Sequence, residues 1–133
     1  MSFEKSISLH VEKDETFHRV TGYGETEAGG YVAVDGTRFS HSLVLTPKEI
    51  GDWPPRTFDE VTAEHFALLL ALDPEVVLFG SGKVQRFPDR SLFDACTERG
   101  VGVEVMGTAA ACRIYNLIAG EGRMVAAALL MPC

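Results

Sequence analysis

Two apolar runs in this chain break into glycine in the same way. Glu75-Val76-Val77-Leu78-Phe79 leads into Gly80-Ser81-Gly82-Lys83, and Gly102-Val103-Glu104-Val105-Met106 leads into Gly107-Thr108 and a helix-forming stretch. Read as parallel strands joined by the helix between them, the runs bring their carboxyl ends to one edge of one sheet, where open α/β sheets bind ligands. The spacing predicts a crevice between the loops at 80–86 and 107–113. It names no reaction, because no recognised catalytic constellation accompanies the loops.

The rest of the chain fits around that pair. Residues 1–18 carry Phe3, Ile7, Leu9 and Val11 at a spacing near two among charges, which predicts an N-terminal arm ahead of one domain over 19–133. Residues 20–23 and 30–34 read as strands on either side of a glycine-rich, acidic turn at 24–29. Asp35-Gly36, set between two β-rich runs, predicts a hairpin because both residues tolerate positive φ. Residues 42–46 read as a further strand, or as the extension of the previous one, ended by Pro47. The stretch 48–59, with Gly51, Trp53, Pro54 and Pro55, predicts a surface connection anchored by one aromatic.

Helix signals then begin. Thr62 is expected to cap a helix, with Val61 and Phe66 as a hydrophobic staple and Asp73-Pro74 as the stop. A second helix is expected from Pro88 or Asp89 to Arg99-Gly100, turning Leu92, Phe93 and Cys96 inward, and a third runs to Gly120 with Thr108 as its cap. Residues 123–131 are apolar on both faces, as a central strand must be. A β meander followed by α-β-α-β-α-β predicts an α/β fold: a three-layer single domain with a mixed central sheet and an N-terminal β meander.

Composition narrows the function classes. A chain of 133 residues, 46% apolar, can bury one core. A formal charge of −7 works against binding the nucleic-acid backbone. The first twenty residues mix charged and apolar positions, so no signal peptide is expected, and the eight-residue run from Met124 to Met131 falls far short of the roughly 20 needed to span a bilayer. Cys96, Cys112 and Cys133 are odd in number and widely spaced, which suits reduced thiols and a cytoplasmic location. His10, His18, His41 and His65 fall on four elements without an i,i+4 pair, so no metal site is expected.

Two nucleotide-binding readings of the first loop fail on residue type. A P-loop needs Gly at 77 and Ser or Thr at 84, where valines stand, and a dinucleotide fingerprint needs Gly at 85, which is Gln85. Ser81 lies outside any G-x-S-x-G elbow. What remains is an anion site: Lys83 and Arg86 on the loop, the free N–H groups of the helix opening at Thr108, and Arg113, which shares a helix face with Asn116. The expected ligand-binding set is Gly80, Ser81, Gly82, Lys83, Arg86, Thr108, Arg113 and Asn116. The alternatives are that Thr108 is an ordinary cap and that Arg113 pairs with Glu104. Tyr115 is either a general acid at the crevice or a partly buried ring with its hydroxyl at the surface. Trp53 is either a recognition patch or a plug in the core.

The motifs Phe79 to Pro88, Gly100 to Met106 and Thr108 to Asn116 resemble the MTH-like family of domains of unknown function, whose members include a mitochondrial complex I assembly factor. The likeness runs from about residue 20 to 130. It implies a compact three-layer α/β fold with a mixed sheet, and no established activity, cofactor or catalytic residues. Family members often carry an acid where this chain has Gly107. The resulting expectation is a cytoplasmic binding or assembly module, monomer or homodimer, that takes a small anion or acidic peptide of a protein partner in the crevice. The rival is an enzyme of unassigned class in which Tyr115, Lys83 or Ser81 moves a proton.

Overall fold

The computed structural model describes residues 17–133, and among these a five-stranded and a three-stranded sheet are found. The expectations for the arm, including Phe3, Ile7, Leu9, Val11 and His10, lie outside the described residues. The smaller sheet is the meander: β1 (Val20–Thr26), β2 (Gly29–Val34) and β3 (Thr37–Phe39), antiparallel in chain order. Its second turn is the expected hairpin, with Asp35 at φ 53° and Gly36 at φ 86°, the left-handed pair that a type I′ turn requires. The first turn differs from expectation. Pairing continues to Thr26 opposite Gly29, so Gly24 and Glu25 are strand residues rather than loop. Gly24 sits opposite Tyr31, whose ring covers the space a side chain would fill, and this cross-strand packing offsets the weak strand preference of glycine.

The central sheet contains β4 (Leu43–Leu45), β5 (Ile50–Asp52), β6 (Val76–Gly80), β7 (Gly102–Met106) and β8 (Val125–Leu129), in the order β5-β4-β8-β6-β7. β6 runs parallel to β7 and β8, while β4 is antiparallel to β8 and β5, so the sheet is mixed as expected. All of β8 is buried in the middle. The stretch 48–59 is not wholly a connection: the Thr46 hydroxyl accepts the Glu49 N–H at 2.9 Å, closing a turn that lays Ile50 against Leu45 as a short strand. Trp53 then folds inward, fully buried, and its Nε1–H donates to the His65 carbonyl at 3.2 Å.

Helix α1 (Ala63–Ala67) passes into a 3-10 turn, Leu68–Leu72. Thr62 caps it reciprocally with His65, whose Nδ1 accepts the Thr62 N–H at 2.9 Å in the place usually taken by a glutamate. Val61 and Phe66 are buried in one cluster, and Asp73 ends the segment at φ 55°. A 3-10 turn, Arg90–Phe93, capped by the Asp89 carboxylate on the Ser91 N–H, leads into α2 (Asp94–Glu98). Helix α3 spans Thr108–Gly120.

From β6 the chain steps outward to β7 and then back past β6 to β8. Right-handed crossovers therefore land α2 and α3 on opposite faces of the sheet. Trp53, Phe66, Leu69, Val77 and Phe79 form the core under α1 and α2. Leu78, alternating with Val77 and Phe79, points the other way into the core shared by α3 and the meander, with Tyr115, Val34, Leu43 and Leu129. The result is three layers with the mixed sheet in the middle.

Candidate functional site

The register of β6 on β7 pairs Gly80 with Met106, so the two loops leave the sheet side by side. No gap separates them. The Ser81 N–H donates to the Met106 carbonyl at 2.8 Å and the Thr108 N–H to the Gly82 carbonyl at 2.8 Å. The Gly82 N–H donates to Thr108 Oγ1 at 2.9 Å, and that hydroxyl donates to the Leu130 carbonyl at 2.6 Å. One fully buried hydroxyl thus joins the loop after β6, the start of α3 and the segment after β8. Gly80 makes the approach feasible, since a Cβ there would stand 2.9 Å from Thr108 Oγ1 and from Leu129 Cδ2. Thr108 is consequently not the helix cap that its sequence position suggested: Gly107 is the cap, and Thr108 is the first helical residue, its hydroxyl turned towards the neighbouring strands. The first helical N–H is spent on a backbone carbonyl.

Ser81 Oγ donates to the Val84 carbonyl at 2.8 Å and accepts the Arg86 N–H at 3.0 Å, closing the 81–86 loop on itself. Asn116 spends both ends of its amide on Val20, accepting its N–H and donating to its carbonyl, each at 2.9 Å. The cations behave differently. Lys83 Nζ lies 3.1 Å from Glu25, and the Arg86 guanidinium stacks 4.0 Å over the Phe58 ring, 3.8 Å from Asp59. Arg113 donates to the Tyr23 hydroxyl at 2.7 Å rather than meeting Glu104. Tyr23 and Glu25 project from one face of β1, so Arg113 and Lys83 are neighbours along the rim. Of the eight expected residues, the three cations face solvent, while Thr108, Ser81 and Asn116 have their polar atoms engaged within the fold.

Beside the loop lies a hollow of about 240 Å³, flanked by Arg56, Phe58, Lys83, Arg86, Met131 and Cys133. Arg56 and the last residues of the chain were not among the sequence candidates. Arg56 reaches this edge because β5 pairs antiparallel with β4, which carries the chain to the end of the sheet where β6 and β8 also finish. Nothing in local spacing signals that placement. Arg56 lies 3.4 Å from Asp52.

Tyr115, Cys112 and Cys96 are buried in the core rather than displayed at this hollow. The Tyr115 ring is fully buried and its hydroxyl donates to the His18 carbonyl at 2.6 Å. Burial, with the Asp35 charge adding to it, raises the Tyr115 pKa above the ordinary phenol value, the opposite of the shift a catalytic tyrosine needs. Burial pushes the Cys112 thiol up to about 12 and also raises Cys96, so both behave as small core residues. Among the described residues no three His, Cys, Asp or Glu side chains gather as metal ligands.

Residues 20–130 match the family described as a protein of unknown function (DUF498/DUF598). The chain belongs to that family. Among solved structures, a Bordetella parapertussis protein is 36% identical with a TM-score of 0.81, covering 87% of this chain and 97% of that one. A Bordetella pertussis protein described as a Mth938-like domain is 32% identical with a TM-score of 0.74, covering 88% of this chain and 87% of that one. The expected MTH-like resemblance therefore holds. The cattle protein named NADH dehydrogenase [ubiquinone] 1 alpha subcomplex assembly factor 3 is 33% identical over 105 residues, or 77% of this chain and 56% of that protein. The chain thus spans little more than half the length of that relative.

For this DUF498/DUF598 member the loop rim joins a hydrogen-bonded backbone to exposed cations. The hydrogen bonds of Ser81 and Thr108 hold the loop in place, while Lys83 and Arg86 meet surface carboxylates in pairs worth at most about 1 kcal/mol each and Arg113 meets the Tyr23 hydroxyl. Among the described residues no helix is long and apolar enough to cross a membrane.

Proposed function

We propose that this chain is a protein-binding module of the assembly-factor kind, which receives an acidic segment of its partner on the rim around the 81–86 loop. The observation that carries the reading is the gathering of Arg56, Lys83 and Arg86 around one hollow on a chain whose net charge is −7. Each cation is paired with a carboxylate of its own chain, and a partner carboxylate can replace those weak exposed pairs at little cost. The fused loops between 80 and 108 serve as the rigid base, and Arg113 extends the cationic rim on the β1 side. The assembly role of the cattle relative supports a protein rather than a metabolite as the occupant, and a cytoplasmic compartment is part of this proposal.

Titration calorimetry with an Asp/Glu-rich peptide and with inorganic phosphate tests it. Binding is expected for the peptide, weakened about tenfold in the Lys83→Ala, Arg86→Ala double variant and falling with added salt. Absence of binding by either probe to the folded protein overturns the anion-binding reading.

A further inference from the structure

β7 is an outer strand of the central sheet. Its parallel pairing with β6 uses one side of its backbone, the side on which the Met106 carbonyl accepts the Ser81 N–H. Successive residues alternate, so Val101, Val103 and Val105 direct their N–H and C=O groups outward. Two of these groups are already engaged. The Gln85 side-chain amide donates to the Val105 carbonyl at 3.0 Å, and the Val101 N–H donates to the Cys96 carbonyl at 2.9 Å. Among the described residues nothing meets the Val103 N–H and carbonyl, the Val105 N–H or the Val101 carbonyl. The outer edge of β1 is treated differently, since Asn116 satisfies both backbone groups of Val20. Along the open part of β7 runs a groove of about 1150 Å³ lined by Phe87, Phe93, Val103 and Val105 together with Arg90 and Asp94, in which Phe87 is 70% exposed. An edge strand left open beside an apolar groove is a template for strand addition.

We infer that the occupant is a second copy of this chain, with the two β7 strands antiparallel about a two-fold axis between their Val103 residues. In that register the Val103 residues exchange both hydrogen bonds, and at each end the Val105 N–H of one copy meets the Val101 carbonyl of the other. The two groups already spent, the Val105 carbonyl and the Val101 N–H, are the ones that would have faced each other, so self-pairing leaves none of the free groups without a partner. A strand of unrelated sequence gives no reason for that match. Charge agrees as well: the acid of β7, Glu104, falls opposite Gly102 of the other copy, whereas a register moved by one step sets Glu104 against Glu104. The same axis carries each Phe87, which lies near the carboxyl end of β7, towards Val101 of the other copy and covers both apolar grooves.

Sedimentation velocity across a concentration series, in moderate salt that screens the repulsion between two copies of charge −7, tests the pairing. A Cβ at Gly102 meets no atom within 4 Å and its φ lies outside the left-handed region, so substitutions there keep the fold. Gly102→Glu places a second carboxylate opposite Glu104 at both ends of the pair and is expected to weaken the dimer about tenfold, and Gly102→Lys to tighten it by a similar factor. A monomer at every concentration up to about 1 mM overturns the inference. So does a dimer that responds equally to Lys and Glu at position 102, or one that ignores both.

Discussion

Thr108 does more for the architecture than the cations that surround it. Its hydroxyl receives the Gly82 N–H and is donated to the Leu130 carbonyl, both buried, so three segments depend on one oxygen. Thr108→Val keeps the shape and removes both bonds, leaving two buried polar groups without partners at about 1–3 kcal/mol each. Denaturant unfolding is expected to show a loss of about 2–4 kcal/mol at unchanged slope, with Thr108→Ser recovering most of it. An unchanged midpoint for the valine variant would show that the suture carries no stability. The sequence marks Thr108 as a residue at a helix start and nothing more. Its actual partners lie 22 and 26 residues away, and Asn116 meets Val20 at a separation of 96, so the features that turned candidate ligands into structural ties are absent from any local pattern.

Elements were legible where their causes are local. The Asp35-Gly36 hairpin, the Thr62 cap and the stop at Asp73 each depend on neighbours within a few residues, and each forms as expected. β5 and the extension of β1 depend instead on a partner strand, and spacing alone misplaced them. The hairpin also carries a pH dependence. Asp35 accepts the Arg19 N–H at 3.0 Å and lies 2.7 Å from His18 Nδ1, and these bonds, the Arg19 one first, hold its carboxyl below the usual value of 3.8. A lowered folded pKa contributes stability above the unfolded value and loses it as pH falls through the folded one. Asp35→Asn, which keeps a residue tolerant of the left-handed turn, is expected to be less stable than the parent near neutral pH by under about 1 kcal/mol, since solvent screens this exposed group. Thermal melts should show the gap closing in strong acid, and a gap that widens there would reverse the assignment.

At the scale of the molecule, the apolar character of 123–131 on both faces already pointed to a central strand, and crossover handedness then distributes the helices over the two faces. The meander packs as a separate small sheet, and the C-terminal segment helps to hold it. A Cβ on Gly30 would lie 2.9 Å from the Pro132 backbone, so β2 sits directly on the residues that follow β8. β8 therefore touches every layer: it is flanked by β4 and β6, covered by both cores, and continuous with the segment beneath the meander. Hydrogen exchange is expected to show Ala126, Ala127 and Ala128 exchanging only through global unfolding, with a denaturant slope equal to that of the whole protein. Amides of β5, a three-residue edge strand, should exchange at least about a hundredfold faster and with little denaturant dependence, because that strand detaches without disturbing either core. Equal protection in β5 and β8 would mean that the sheet opens as one body from edge to centre, and β8 would then have no special place in its stability.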